Sequence, residues 1–298
     1  MIVRTKPGLR DVLFSINGSI LPRIAWRLVT IALVCLAAIL ASQQHPGIFG
    51  QISAIPFTLI GIALSVFMSF RNGTCYDRWW EGRKLWGGLI IACRSFARLA
   101  STLDEPDRQY LLRGLCGFAN GLAARLRGRD EPAALAAWCD EPSLAASPNP
   151  TDALLHRMGH HCLLLMQEGR IGAIHHSLLE AQLGALSQVQ AGCERIANTP
   201  IPFAYSLLLH RTAYMFCLAL PFALAGPLNW WTFMPVIVVS YTFFGLDALG
   251  DQLEDPFGLE PNALPLDAMT RTVEREMLAL LGETPLPPPA APQRYVLT

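Results

Sequence analysis

Four carboxylates lie close together near the carboxyl end of the chain, and grouped carboxylate oxygens are suitable ligands for a hard cation such as Ca²⁺. They share one helical face, at intervals of four and of seven or eight residues, and they are Asp247, Asp251, Glu254 and Asp255. Two interpretations are open at this point. The acids either bind calcium, or they form a structural turn and pair with cations such as Arg27 or Arg211.

A second candidate for metal chemistry is the pair His156 and His160, spaced by four residues on a predicted helix. That spacing can place two imidazoles on one metal ion. No carboxylate or cysteine completes the set at a recognised spacing, although His161 and Cys162 are close. We therefore interpret the pair as part of an ordinary solvated face and predict no metal site.

No combination of nucleophile, acid, base or metal ligands indicates an enzyme, and we expect no cofactor. The 23 basic and 23 acidic residues balance, so no bulk charge favours a nucleic-acid partner. The eight cysteines contain no C-x-x-C pair and are predicted to be reduced thiols that pack like small apolar side chains. Gly114, Gly117 and Gly121 follow no predicted strand, so they indicate close helix packing rather than a phosphate-binding loop.

Residues 48–70 form an apolar stretch of 23 residues without a charge. At about 1.5 Å per residue such a helix is roughly 34 Å long, enough to cross a bilayer core of about 30 Å. Ile62, Val66 and Phe70 follow at intervals of four residues, so these bulky side chains share one face. Periodicity alone favours a face that contacts lipid or packs on other helices.

A parallel stripe of small residues, Gly61, Ser65 and Ser69, runs one position before the bulky stripe. Small residues at this spacing allow helices to approach closely within a membrane. If several copies of the helix surround an axis, the small stripe packs neighbouring copies and the bulky stripe points inward. The second interpretation of the bulky stripe is therefore a narrow hydrophobic pore.

The composition is that of a membrane protein, with 52% hydrophobic residues, 15% charged residues and a mean hydropathy of +0.34. Four spans are predicted, at about 24–42, 48–70, 203–224 and 228–249. The amino-terminal segment carries five basic residues, Arg4, Lys6, Arg10, Arg23 and Arg27. By the positive-inside rule, both termini should face the cytoplasm of a multi-pass protein in the cell (inner) membrane.

Apolar residues recur at helical spacing through the polar insertion, which predicts helices over 79–103, 108–126, 152–168 and 174–197, with a further helix over 263–281. The predicted fold class is all-α, with four transmembrane helices and a cytoplasmic helical bundle. The expected divisions are the amino-terminal segment with spans one and two (1–70), the cytoplasmic domain (71–202), spans three and four (203–250), a carboxy-terminal helix region (251–283) and a Pro-rich disordered tail (284–298).

Three blocks of residues carry a family resemblance. The first combines FRN at 70–72, YDRWWE at 76–81 and RKLWG at 83–87; the second combines GCERI at 192–196 with PIPFAY at 200–205; the third combines EDPFG at 254–258 with Asn262 and LPLD at 264–267. In this order and with these separations, the chain resembles bestrophins over roughly residues 1–283. It is most similar to the bacterial branch, because it ends soon after the acidic block.

The resemblance implies a homopentameric ion channel with one axial pore in the lipid bilayer, through which small monovalent ions pass. The positions that match the three apolar rings of the family's neck are Ile62, Val66 and Phe70, and Ile174 matches the constriction at the cytoplasmic exit. His175 and His176 follow Ile174, so their protonation would add positive charge at that exit and favour anions. Apart from these histidines, resemblance to the bacterial branch slightly favours cation permeability.

The resemblance also bears on the remaining alternatives. Animal bestrophins hold calcium with a longer acidic run, whereas Pro256-Phe257-Gly258 interrupts the run here, so we favour the ion-paired turn and do not expect calcium binding. A secondary transporter should show ionisable groups near the membrane midplane, and the second span has none. A membrane scaffold with a helical cytoplasmic domain stays open as the other class of function.

Overall fold

The computed structural model describes residues 1–3, 8, 18–139 and 141–298. Arg4, Lys6 and Arg10, which contribute to the basic amino end, lie outside the described residues. The described part of the chain is helical and contains no strand, which confirms the all-α class. Its helices of six or more residues are α1 (Leu21–Gln44), α2 (Ile55–Leu99), α3 (Glu105–Leu126), α4 (Glu131–Ala136), α5 (Pro150–Gln167), α6 (Ala173–Asn198), α7 (Phe203–Leu228), α8 (Phe233–Glu254) and α9 (Leu266–Leu280).

The chain divides into two compact units. The apolar unit comprises Arg4–Arg78 and Pro200–Asp255, and the helical unit comprises Met1–Val3, Trp79–Thr199 and Pro256–Thr298. Helix α2 passes from one to the other, because its residues 55–78 belong to the apolar unit and 79–99 to the helical unit. Within α2, the boundary between the two compact units lies at Arg78.

The apolar unit contains the helices that are long and apolar enough to cross a membrane. In the described residues these stretches are Leu21–Gln44, Ile55–Thr102 and Phe203–Glu254. The last is divided by a 3-10 turn, Asn229–Thr232, into α7 and α8, and Asn229 there has a positive φ of 49°. Apolar helices therefore occupy the four positions at which the sequence predicts spans.

Helix α2 begins at Ile55, and the predicted start at residue 48 is wrong. Residues Pro46–Phe49 form a separate helical turn. Pro56 lacks an N–H and its ring would clash with the carbonyl of residue 52, so it is favoured in the first turn of a helix and disfavoured in its interior. The helix then continues without interruption to Leu99, which makes the predicted helix 79–103 part of α2.

The helical unit packs around large apolar side chains such as Trp86, Phe96 and Phe118, all fully buried. Helix α3 presents glycines to α5: a Cβ at Gly114 would lie 2.8 Å from Sδ of Met158. At Gly121 it would lie 2.7 Å from Oγ1 of Thr151. The prediction that these glycines allow close helix packing is confirmed.

All eight cysteines are free and buried, which confirms their interpretation as small core side chains. Cys139 illustrates the chemistry: burial, reinforced by the negative charge of Glu141, raises the pKa of its thiol to about 11. The thiol is therefore protonated at neutral pH and unreactive.

The carboxy-terminal tail, whose composition predicts disorder, makes backbone hydrogen bonds to other parts of the helical unit. The backbone N–H of Leu297 donates to the carbonyl of Met1 at 2.8 Å, and that of Ala268 in α9 donates to the carbonyl of Thr298 at 2.9 Å. Prolines lower the conformational entropy that a chain loses on ordering, so a Pro-rich segment can order with few hydrogen bonds.

Candidate functional site

Helix α2 carries the three predicted neck residues on a face that its own chain leaves uncovered. Ile62, Val66 and Phe70 are 59%, 47% and 65% exposed. Leu64 and Met68, which the helical repeat puts on the opposite face, are only 2% and 0% exposed. The stripe is therefore open to contact with lipid, with other copies of the chain or with a pore, while the opposite face fixes the helix within the apolar unit.

The stripe of small residues lies at the edge of this uncovered face. A Cβ at Gly61 would lie 3.1 Å from Cζ of Phe216 on α7, so the glycine allows that ring to approach α2. The Ser65 hydroxyl donates to the carbonyl of Gly61 at 2.7 Å and is satisfied within the helix. Gly61 and Ser65 line an open, mainly apolar groove of about 330 Å³, and Ser69 is exposed.

Arg71 follows the bulky stripe directly, and its side chain is fully buried. The guanidinium donates from Nη1 to Oδ1 of Asp247 at 3.2 Å and from Nη2 to Oδ1 of Asp251 at 2.5 Å. Oε2 of Glu254 lies 3.5 Å from Nη2. Gly250 makes room for this approach, since a Cβ there would lie 3.1 Å from Nη1. A charge buried in this way needs its partners, because transfer without them costs several kcal/mol.

Asp247 is itself fully buried, and side chains from two further helices approach its carboxylate. Nη1 of Arg27 on α1 lies 3.1 Å from Oδ2, and Nδ1 of His210 on α7 lies 2.7 Å from Oδ1. Arg27 also lies over the Tyr214 ring, 5.3 Å from its centroid, in cation–π geometry. Helices α1, α2, α7 and α8 thus meet at one carboxylate. We call Arg27, Arg71, His210, Asp247, Asp251 and Glu254 the Asp247 hub.

The hub confirms that the acidic residues form ion pairs and that Arg27 is one of their partners. The other predicted partner, Arg211, is wrong, because its side chain is exposed and does not join the hub. Sequence reasoning missed Arg71 and His210. A signal for Arg71 exists, because it is the first charge after an apolar span, just as Asp247 is the first charge within the last span. Such charges at corresponding span ends can be paired before a structure is known.

One set of hub atoms comes close enough to hold a metal ion, with ligand atoms of His210, Asp247 and Asp251 within 4.8 Å of one another. The Arg71 guanidinium already bonds to both carboxylates. A cation at that position repels a metal ion and uses the oxygen lone pairs that the metal would need. The arrangement fits a buried ion-pair network better than a metal centre.

Ile174, the predicted aperture residue, is the second residue of α6 and is 81% exposed. Nε2 of the next residue, His175, lies 2.8 Å from the carbonyl of Leu99. A carbonyl only accepts, so this nitrogen carries the proton and the ring is tied to its own chain. His176 lines a groove between α5 and α6. The His175 ring is therefore held by its own chain. The hypothesis that His175 and His176 add positive charge at the exit stays a prediction.

Comparison with known families gives one match over almost the whole chain. Residues 1–279 match the family model described as bacterial/fungal bestrophin protein. The chain is 39% identical to the voltage-dependent anion channel-forming protein YneE of Salmonella typhimurium, with 100% of both chains covered. It is also 39% identical to the similarly named protein mll4386 of Mesorhizobium japonicum, covering 96% of this chain and 94% of that one.

Solved structures give the same result for the fold. A bacterial bestrophin homologue from Klebsiella pneumoniae superposes with a TM-score of 0.84 at 37% sequence identity. The match covers 88% of this chain and 100% of that chain. At this identity and coverage, the likeness extends to the helices that carry the bulky stripe and the hub.

Proposed function

Because the chain belongs to the bacterial and fungal bestrophin family, we propose that it is the pore-forming subunit of a homopentameric ion channel with a hydrophobic neck. It is similar to channel-forming relatives over their full length, so its class is a channel and not an enzyme. In the proposed pentamer, Ile62, Val66 and Phe70 of each chain form three apolar rings. Native mass measurement in detergent should give five times the 32.7 kDa chain mass.

The observation that carries this proposal is the uncovered bulky stripe. In the most apolar 18-residue stretch of α2, only 17% of the residues are buried by the chain itself. The corresponding share is 28% in α1 and 44% in the 203–254 segment. The helix with the least internal cover is the one expected to contact neighbouring subunits and the pore. The groove beside Gly61 and Ser65 offers space for an apolar side chain of an adjacent copy.

The proposed neck would gate by dewetting. A narrow ring of apolar side chains disfavours liquid water, and an ion that enters must lose hydration without gaining polar ligands. Small changes in the orientation of α2 then switch conduction. Arg71 is adjacent to Phe70, so the Asp247 hub would hold this part of α2 at the neck and fix the direction of the Phe70 ring.

Ile174 is proposed as a second constriction, formed by five exposed isoleucines at the cytoplasmic exit. Its support is the family match and its position near the start of α6, where its side chain stands free of the chain's own core. Like the neck residues, Ile174 carries no charge, so it would restrict the passage of ions through the small pore diameter and through dewetting. We further propose that both termini face the cytoplasm.

The permeant ion is assigned from the relatives. They are named voltage-dependent anion channel-forming proteins, so we propose that small monovalent anions permeate, in place of the cations that resemblance to the bacterial branch favours. The apolar neck exerts no fixed charge preference of its own. Selectivity therefore has to arise outside the rings.

Recording from purified protein in planar bilayers tests the function. We expect single-channel currents, and we expect Ile62→Ala, Val66→Ala and Phe70→Ala each to raise conductance by widening the rings. Under a KCl gradient, the reversal potential should lie towards the chloride equilibrium potential. A reversal potential near the potassium equilibrium potential would overturn the assignment to anions. It would not bear on the proposal that the bulky stripe forms the neck.

Matched controls come from the same helix. Ile60→Ala removes the same side chain as Ile62→Ala but on the far side of α2, where the residue is still 44% exposed. Conductance should be unchanged in Ile60→Ala. If it rises equally in both variants, or in neither, the bulky stripe does not form the neck. Bilayers that stay silent with well-folded protein would instead favour a scaffold role.

A further inference from the structure

Helices α5 and α6 form the walls of an open groove of about 550 Å³ in the helical unit. Its described lining includes three imidazoles and two carboxylates but no lysine or arginine; these groups are Asp152, His156, His160, His176 and Glu180. Two carboxylates without a lysine or arginine beside them make a local environment that attracts cations. The composition of the groove therefore points to a metal ion as ligand.

The spacing of these residues gives two facing pairs. His156 and His160 lie four residues apart on α5, and His176 and Glu180 lie four residues apart on α6. Residues at this spacing are neighbours on a helix surface, about 5–6 Å apart at Cβ. Oε2 of Glu180 lies 3.3 Å from where a Cβ of Gly159 would be, so the absent side chain lets this carboxylate reach the surface of α5 beside His160.

The four side chains of the facing pairs are available for a ligand. None of them makes a hydrogen bond or an ion pair within the part of the chain that the structure describes. The adjacent candidates are not available: Nε2 of His161 lies 2.9 Å from Oδ1 of Asp107. Cys162 is buried, and burial together with the negative charge of Glu180 raises the pKa of its thiol to about 12.

We propose that His156, His160, His176 and Glu180 bind a transition-metal ion of the zinc class and thereby link α5 to α6. Three imidazoles and one carboxylate belong to the ligand types that complete a tetrahedral zinc site. Imidazole suits zinc, nickel and copper, whereas magnesium and calcium prefer oxygen ligands. The side chains rotate towards one another on binding, and because they are unpaired, this rotation breaks no existing bond.

The site changes the interpretation of His156 and His160 as a merely solvated face. The carboxylate that is missing from their sequence neighbourhood comes from Glu180, which only the packing of α6 on α5 brings close. The Asp247 hub differs in this respect, since its carboxylates are already bonded to Arg71.

Isothermal titration with ZnCl₂ tests the site, using untagged full-length protein in detergent after removal of metals with a chelator. We expect one zinc per chain, and affinity reduced by roughly tenfold or more in His160→Gln and in Glu180→Gln. His45→Gln, at an exposed histidine in the apolar unit, is the control and should bind as the unaltered protein does. Mg²⁺ should give no binding heat.

A second measurement separates loss of the site from loss of the fold. Zinc should raise the thermal unfolding midpoint of the unaltered protein and of His45→Gln but not that of His160→Gln. Circular dichroism of the metal-free variants should match that of the unaltered chain, because both substituted side chains are exposed. Absence of zinc binding, or undiminished binding in both groove variants, would overturn the proposal.

Discussion

The apolar unit and the helical unit bury their apolar side chains in different ways. In the helical unit, large residues such as Trp86, Phe96 and Phe118 pack on one another without exposed surface. In the apolar unit, the residues of α2 divide between a buried face, with Leu64 and Met68, and an uncovered face with the bulky stripe. The helical unit completes its own core, whereas the apolar unit leaves apolar surface to be covered from outside the chain.

This difference predicts where substitutions act. Where the chain covers a residue itself, a substitution should change the free energy of unfolding of the isolated subunit. Where the chain leaves a residue uncovered, a substitution should change conduction or assembly with little effect on that free energy. Three measurements of stability test the first half of this rule, and the neck variants described above test the second.

The largest loss of stability is expected in the Asp247 hub. Arg71→Met removes a fully buried partner from the buried carboxylate of Asp247 and from the partly exposed carboxylate of Asp251, and removal of one member of a buried ion pair costs about 3–5 kcal/mol. Denaturant unfolding in detergent measures the change. Arg211→Met, at an exposed arginine of the same unit, should stay within about 0.5 kcal/mol of the unaltered protein. Similar losses in both variants would contradict the role of the hub.

A smaller loss is expected in the core of the helical unit. Gly121→Ala places a methyl group 2.7 Å from Oγ1 of Thr151 and 2.9 Å from Cδ2 of Leu135, and overpacking of this kind typically costs about 1–3 kcal/mol. Gly184→Ala, inside α6 with no atom within 4 Å of the new methyl, should instead stabilise by roughly 0.5–1 kcal/mol. If both alanines shift the thermal midpoint in the same direction, the glycines of α3 are not packing sites.

The smallest effect is expected at Asp267, in the first turn of α9. Burial acts to raise the pKa of this carboxyl, but the hydrogen bond from Arg129 and the charge of Arg127 outweigh it and hold the pKa below its ordinary value of 3.8. Because the Asp267 side chain is 37% exposed and the buried Arg127 keeps its hydrogen bonds to the carbonyls of Phe257 and Leu264, Asp267→Asn should cost about 1 kcal/mol.

The pH dependence of this pair follows from the lowered pKa. Its contribution is fully present above the ordinary carboxyl value of 3.8 and is lost as the pH falls through the lower folded-state value. The stability difference between the unaltered protein and Asp267→Asn should therefore be constant from pH 7 to about pH 5 and shrink below about pH 4. A difference that grows on acidification would contradict the ion pair.

Much of the fold could be predicted from periodicity and composition. The predicted helix 108–126 corresponds to α3 at Glu105–Leu126, and 174–197 corresponds to α6 at Ala173–Asn198. The first and last residues of a helix were harder to predict where a single proline determines them. Helix α2 starts at Ile55 rather than at residue 48, because Pro56 is favoured in the first turn of a helix and disfavoured in its interior.

The candidate site could be predicted in part. Spacing by four puts Ile62, Val66 and Phe70 on one face, and the structure leaves that face uncovered. The partner of the acidic cluster could not be chosen in the same way. Arg27, Arg71 and Arg211 all lie in or beside apolar spans, and only the packing of α1, α2, α7 and α8 shows which of them approach Asp247.

The sequence by itself determined the helical class, the four apolar segments and the uncharged stripe on α2, because these depend on the order of residues along one helix. Only the tertiary structure decided that Arg71 and His210 meet Asp247, and that Glu180 faces the histidines of α5. Those contacts join residues that are far apart in the chain. Which of them form is set by the packing of whole helices, which local spacing does not encode.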